Sequence, residues 1–163
     1  MRSVIFSSFL LVSLVLVRPH QFWAQDAKAA PVSQSYSGMY TFLKDGEFVQ
    51  ITVEDGGRVT GFVSRYGDGE SDRGAFLDQF FKEGKLDADK ISFTTQTVHG
   101  VWFDFHGTVG RGEGKAPEDE AYHIVKGTLI EHRTDADKKV TSQSREAIFK
   151  SFPQNLESTP HRD

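Results

Sequence analysis

The chain has 163 residues and carries 19 basic against 23 acidic side chains, which gives a net charge of −4. An acidic chain without a cluster of lysines or arginines argues against nucleic acids and anionic membrane surfaces as partners. Cysteine is absent, which excludes disulfides, thiol catalysis and a lipid anchor attached to cysteine. The apolar core must therefore provide the stability of the fold.

The first 29 residues have the pattern of a secretory signal peptide. Arg2 gives a basic start, residues 4–17 form an apolar run without charge, and small residues follow. The run is shorter than the roughly 20 residues of a membrane-spanning helix, so a retained anchor helix is the less favoured alternative. We expect cleavage after Ala24 or Ala29, and export to the periplasm or the extracellular space without a stable membrane anchor. The lack of disulfides is more typical of a bacterial envelope protein than of a small animal secreted domain.

The remaining residues predict one domain between two flexible ends. Residues 30–36 form a polar lead-in, and residues 153–163 form a tail with two prolines and few apolar side chains. Residues 37–152 are expected to form the single domain.

That domain has the pattern of eight strands joined by tight turns. Alternating apolar and polar residues, such as those of residues 48–54, indicate half-buried strands, and Asp-Gly pairs indicate hairpin turns. The phenylalanines of residues 75–81 also fit a helical turn, so that segment is either one helical turn or part of a long strand. The predicted strands are residues 38–43, 48–54, 58–66, 75–86, 91–98, 101–109, 122–133 and 140–150.

Sequential strands joined by hairpins form an antiparallel meander. A meander of eight strands hides its edges best by closing into an up-and-down barrel, and a two-sheet β-sandwich is the alternative. We therefore expect an all-β barrel. A barrel of this size is either filled by side chains or holds one small ligand.

Residues 36–67, "YSGMYTFLKDGEFVQITVEDGGRVTGFVSRYG", resemble the opening of calycin-type barrels, the lipocalin and avidin group. Those barrels begin with glycine, any residue and tryptophan, and Gly38, Met39 and Tyr40 take these places here. The resemblance implies a calycin-like barrel in which an arginine of the last strand, Arg145, packs over Tyr40. It does not imply biotin binding, because the polar position after the motif falls near Phe42, and Trp102 is the single tryptophan after the signal segment.

The segment 101–109 is the richest in chemically active side chains. Its odd-numbered residues are apolar and predict a core face, whereas Trp102, Asp104 and His106 share the other face. Asp104 and His106 lie ~7 Å apart on a strand and form a candidate acid–base pair. No nucleophile motif accompanies them, and a zinc site needs three or four converging ligands, so we predict no catalytic residue, metal or cofactor.

The function that the sequence favours is binding of a small apolar or amphipathic ligand in the barrel mouth. Two other hypotheses remain: a structural or interaction protein of the cell envelope with a filled core, and a weak hydrolase that uses Asp104 and His106. The candidate ligand-binding residues are Tyr40, Phe62, Tyr66, Phe93, Trp102, Phe103, Asp104 and His106.

Overall fold

A computed structural model describes residues 36–154. The expected signal peptide lies outside the described residues, as do most of the lead-in and of the tail. Within the described part, no helix is long and apolar enough to span a bilayer.

The described residues form eight antiparallel strands in one sheet, and each strand pairs with its neighbours in chain order. This topology confirms the predicted meander, and the strands form one sheet instead of the two sheets of a sandwich. The strands are β1 (Gly38–Thr41), β2 (Phe48–Val53), β3 (Val59–Tyr66), β4 (Phe76–Asp87), β5 (Lys90–Thr95), β6 (Val101–Arg111), β7 (His123–Thr134) and β8 (Val140–Lys150).

The sequence allowed either a helical turn or part of a long strand for residues 75–81. The structure has one long strand there, β4. The residues of β4 up to Phe80 pair with β3, and those from Phe81 onward pair with β5. The register with β5 is irregular between Phe81 and Glu83. Pairing on both sides overrides the helical spacing of the phenylalanines, because a strand between two neighbours satisfies its backbone groups in the ladder. Gln79 consequently points into the barrel, and Phe80 points out.

The sheet closes between its first strand and the residue after its last. Tyr40 and Ser151 form an antiparallel bridge, and the Phe152 N–H donates to the Met39 carbonyl at 2.9 Å. Since β1 has four residues and β8 has eleven, the N-terminal half of β8 runs beyond the end of β1. This half of β8 therefore faces the β1–β2 loop at one end of the barrel.

Aromatic rings fill the barrel interior. Neighbouring rings in a continuous series lie 4.3 to 5.4 Å apart between centroids. The series runs through Phe81, Phe93, Phe105, Phe149, Phe42 and Phe103. These side chains therefore pack the middle of the described barrel.

Two glycines that lie opposite each other on β6 and β7 leave space for the ring of Phe105. Gly107 lies opposite Gly127 in the β6–β7 register. A Cβ atom on Gly107 would lie 2.7 Å from the ring of Phe105, and one on Gly127 would lie 2.2 Å from the His106 carbonyl oxygen. The pair thus lets β6 and β7 approach closely beneath the Phe105 ring.

Candidate functional site

One end of the barrel holds a cavity of about 300 Å³, which we call the mouth pocket. It lies at the end where the β1–β2, β3–β4, β5–β6 and β7–β8 loops meet. Its size is at the lower limit of small-molecule sites. The pocket is lined by Phe42, Leu43, Lys44, Glu47, Arg65, Tyr66, Asp68, Phe103, Glu131, Arg133, Gln143 and Arg145.

The floor of the mouth pocket is aromatic. Phe42 and Phe103 pack edge to face with centroids 5.4 Å apart and terminate the interior series of rings. Both are buried. The pocket therefore offers apolar contact at its base, while its charged residues surround that base.

Arg65 is a buried cation beside this floor. It is 5% exposed, and its Nε donates to Oε1 of Gln79 at 2.6 Å. Its guanidinium lies 5.9 Å from the centre of the Phe103 ring. Burial lowers the pKa of Arg65, an effect that the carboxylate of Asp68 opposes. An arginine remains charged despite such a shift, so the floor of the pocket carries a fixed positive charge.

Glu131 lies between two further arginines. Its Oε1 accepts from Nε of Arg133 at 2.5 Å, and its Oε2 accepts from Nη2 of Arg145 at 2.9 Å. Arg133 also donates to Asp68, and this hydrogen bond holds the pKa of the Asp68 carboxyl below its usual range. The contact links the β3–β4 loop to β7.

Two loops at this end are fixed by buried carboxylates. Glu47 accepts from the backbone N–H groups of Tyr66 and Lys44, each at 3.1 Å, and so ties the β1–β2 loop to the end of β3. Asp72 of the β3–β4 loop contacts Nδ1 of His99 in the β5–β6 loop at 2.5 Å. These contacts give the rim of the pocket a defined shape.

Of the eight predicted ligand-binding residues, the mouth pocket contains Tyr66 and Phe103. Tyr40 and Phe93 are buried in the interior. Phe62 lies on the outer face of β3, where its ring packs against those of Phe48 and Phe80. The remaining three, Trp102, Asp104 and His106, lie on the outer face of β6.

Asp104 pairs with His132 on that outer face. Its Oδ2 lies 2.9 Å from Nε2 of His132, and its Oδ1 accepts from the Thr94 hydroxyl at 2.6 Å. Nδ1 of His132 contacts the Ser142 hydroxyl at 2.8 Å, and the Trp102 ring stacks on the imidazole. Asp104 thus joins a cross-strand network from β5 to β8, whereas His106 is exposed. Within residues 36–154, no three histidine, aspartate or glutamate side chains come close enough to hold a metal ion.

The residues that the calycin resemblance singles out lie at different places in the barrel. Gly38 begins β1 opposite Ile51. The Tyr40 hydroxyl donates to the Tyr36 carbonyl at 2.6 Å, at the end opposite the mouth, and burial raises the pKa of Tyr40. Arg145 lines the mouth pocket and pairs with Glu131.

Most of the charged residues that line the pocket were not among those predicted from the sequence. Strand alternation was the available signal, because Arg65 has the parity of Val63, and Glu131 and Arg133 have the parity of Leu129. A charged residue at an inward position near a strand end indicates a polar barrel mouth. The β1–β2 loop residues gave no comparable signal, because loop conformation does not follow from periodicity.

A second concavity, of about 550 Å³, lies at the opposite end of the barrel. Its lining is mainly turn residues: Tyr36, Gly56, Gly57, Leu86, Asp87, Ala88 and Asp89. Asp87 is paired with Lys85 on the exposed surface. The mouth pocket is the better candidate site because it combines a buried cation with an aromatic floor.

No protein-family model matches the sequence, and no curated protein matches it. Solved structures do match. Rhizavidin superposes with a TM-score of 0.56 at 11% identity, over 80% of this chain and 92% of that one. The rhizavidin–biotin complex gives 0.54 at 11% identity, over 76% and 97%.

The fold is avidin-like. Intact afifavidin in its apo form supports the same conclusion, with a TM-score of 0.54 at 15% identity, over 77% of this chain and 88% of that one. The expected calycin-like barrel is thereby confirmed. At these identities the likeness concerns the fold alone, so the function of this avidin-like barrel has to be argued from its own residues.

Proposed function

We propose that this avidin-like barrel binds a small amphipathic ligand in the mouth pocket. The observation that carries the proposal is the combination of an aromatic floor, Phe42 and Phe103, with charged side chains around it in a cavity of about 300 Å³. Small-molecule sites typically combine apolar walls with a few placed polar groups. The solved neighbour that holds biotin is an avidin-type barrel, which supports a binding role for such a fold.

A substitution that fills the pocket tests the proposal. Gln143 lines the pocket from β8 and is exposed, so Gln143→Trp is expected to block the cavity without disturbing the core. Ser144→Trp places the same ring on the outer face of the same strand and is the matched control. Thermal unfolding of the purified protein is measured with lipids, haem, aromatic metabolites and biotin.

The expected result is that at least one ligand raises the melting temperature of the wild type and of Ser144→Trp, since a ligand that binds only the folded state stabilises it by mass action. The same ligand is expected to leave Gln143→Trp unchanged. Biotin is not expected to be the preferred ligand, because Trp102 lies on the outer face. Stabilisation that survives in Gln143→Trp would place the ligand elsewhere, and no stabilisation by any ligand would contradict the proposal.

The second candidate function is a structural or interaction role in the cell envelope. The observation in its favour is an outer aromatic stripe on β2, β3 and β4, whose members Phe76 and Phe80 are 51% and 55% exposed. Clustered exposed apolar side chains mark interaction surfaces. The stripe consists of Phe48, Phe62, Phe76 and Phe80, and the ring of Tyr66 at the pocket rim adjoins it at Phe76. If no ligand binds and Phe62→Ser with Phe80→Ser reduces retention on isolated envelopes, this second function is favoured.

We further propose that the chain is exported after its N-terminal signal peptide is cleaved off after Ala24 or Ala29. The support is the sequence pattern of that segment, with Arg2 followed by an uncharged apolar run. Intact-mass measurement of protein recovered from the periplasm or medium tests it. A mass that corresponds to cleavage after Ala24 or Ala29 is expected, and recovery of the uncleaved chain with membranes would contradict it.

A further inference from the structure

We propose that the ligand of the mouth pocket carries a carboxylate or another oxyanion beside its apolar part, and that Arg145 binds this anionic group. The inference rests on the proposed function, because it names the chemical class of the ligand for the same pocket. The inference follows from a comparison of the hydrogen-bond acceptors and donors among the residues that line the pocket.

The carboxylates of the pocket are already occupied by donors from the protein. Each oxygen of Glu131 accepts from one arginine, and each oxygen of Glu47 accepts from a backbone N–H. Asp68 accepts from Arg133 and lies 3.7 Å from Nη1 of Arg65. Every carboxylate oxygen of the lining therefore already has a protein donor or a guanidinium beside it.

The arginines of the pocket have donors to spare. A guanidinium has five N–H groups, and Arg145 uses one nitrogen, Nη2, for its hydrogen bond to Glu131. Within the described residues, the buried Nε of Arg145 has no hydrogen-bond partner. The side chain as a whole is 38% exposed. A ligand oxyanion in the pocket would bind the Nη protons of Arg145 that Glu131 leaves free.

The charge of the lining has the sign that an anion requires. Lys44, Arg65, Arg133 and Arg145 line the pocket together with three carboxylates, Glu47, Asp68 and Glu131, so the cations exceed the anions by one. The chain as a whole has a net charge of −4. The mouth is thus a locally positive site on an acidic protein, and such a concave site attracts anions in preference to cations.

The position of Arg145 also fits an amphipathic ligand. Arg145 lies on β8 beyond the end of β1, and its side chain is 38% exposed, whereas Phe42 and Phe103 lie buried at the floor. An extended ligand can place its apolar part against the two rings and its anionic group at the arginine. Arginine suits this role because its planar group binds carboxylates and phosphates in a fixed geometry.

Three probes of equal length separate the ligand classes: octanoate, octanol and octylamine. Their affinities for the purified protein are measured by isothermal titration calorimetry at neutral pH. Arg145→Gln removes the charge, Arg145→Lys keeps the charge without the planar guanidinium, and Glu131→Gln removes the internal carboxylate that competes for Arg145. Thermal unfolding of each variant confirms that it folds.

We expect octanoate to bind at least about tenfold more tightly than octanol or octylamine, since charge-assisted hydrogen bonds are the stronger class. Arg145→Gln is expected to remove this preference and Arg145→Lys to restore part of it. Glu131→Gln is expected to tighten octanoate binding, because it removes a carboxylate that competes for Arg145 and repels the anion.

The experiment distinguishes a wrong anion assignment from a mouth pocket that binds no ligand. If octanol or octylamine binds as tightly as octanoate, or if Arg145→Gln keeps the preference, the anion assignment is wrong and the mouth pocket remains a binding site. If none of the three probes binds the wild type, or if their binding persists in Gln143→Trp, the proposed function itself is contradicted for amphipathic ligands of this size.

Discussion

Arg65 and Gln79 form a hydrogen bond inside the barrel, from Nε of the arginine to Oε1 of the amide at 2.6 Å. The glutamine is fully buried. Its Nε2 donates in turn to the carbonyls of Val101 at 2.8 Å and Gln96 at 3.3 Å. A single amide thus orients the buried guanidinium and anchors the β5–β6 loop beneath the mouth pocket.

Gln79→Leu is expected to destabilise the protein by about 3 kcal/mol, because it removes the acceptor of the buried Nε of Arg65 and a donor to the carbonyls of Val101 and Gln96. Urea unfolding measures the change in the free energy of unfolding. Gln96→Leu is the matched control, since the Gln96 side chain is exposed, and a change within about 0.5 kcal/mol is expected there. Equal losses in the two variants would show that the buried amide has no special role.

The filled interior predicts a sharp contrast between two phenylalanines. Phe105 is fully buried between the rings of Phe93 and Phe149, so Phe105→Ala is expected to cost about 3–5 kcal/mol of stability. Phe80 is 55% exposed, and Phe80→Ala is expected to cost less than about 1 kcal/mol. A small loss for Phe105→Ala in denaturant unfolding would mean that the interior is loosely packed and has room for a ligand.

The stack of Trp102 on His132 predicts a measurable coupling between the two side chains. Their rings are 4.8 Å apart and nearly parallel on paired strands. A double-mutant cycle with Trp102→Ala and His132→Ala is expected to give about 0.5–1 kcal/mol of coupling in the free energy of unfolding. Additive losses would show that the stack contributes nothing beyond burial.

His123 predicts how stability responds to mild acid. Burial, with a smaller effect from Arg111, lowers the pKa of His123 from its usual value of 6.5. The unfolded chain therefore binds this proton more readily, so the stability that the neutral side chain contributes is present above pH 6.5 and is lost as the pH falls through the lower folded-state pKa. His123→Gln is expected to flatten the decline of unfolding free energy just below pH 6.5.

His106→Gln is the control for that experiment, because it removes a histidine that is exposed on the outer face of β6. The slope of unfolding free energy against pH is expected to stay the same in this variant. A slope that changes equally in both variants would attribute the pH response to overall charge instead of to the burial of His123.

The strands and their order followed from local pattern, because alternation and Asp-Gly turns act over a few residues. The strand around Phe76 and Phe80 could not be predicted in this way, because phenylalanines four residues apart fit both a helix and a strand. Pairing with β3 and β5 decides between the two. The outer location of Phe62 could have been read from the parity of its strand, because Val63 beside it is buried.

The site was harder to predict than the fold. Aromatic residues were chosen as ligand contacts, but the barrel uses Phe93 for packing and places Trp102 outside. The charged wall of the mouth pocket depends on residues far apart in sequence, such as Arg65 and Glu131. Their proximity follows from barrel closure, which no short segment encodes.

A crystal structure of the protein with octanoate shows whether the mouth pocket binds an amphipathic anion, because it locates both parts of the ligand. We expect a carboxylate within about 3 Å of an Nη atom of Arg145, the hydrogen-bond range, with the alkyl chain against Phe42 and Phe103. Octanoate bound at the opposite end of the barrel or on the outer aromatic stripe, with the mouth pocket free of ligand, would contradict it.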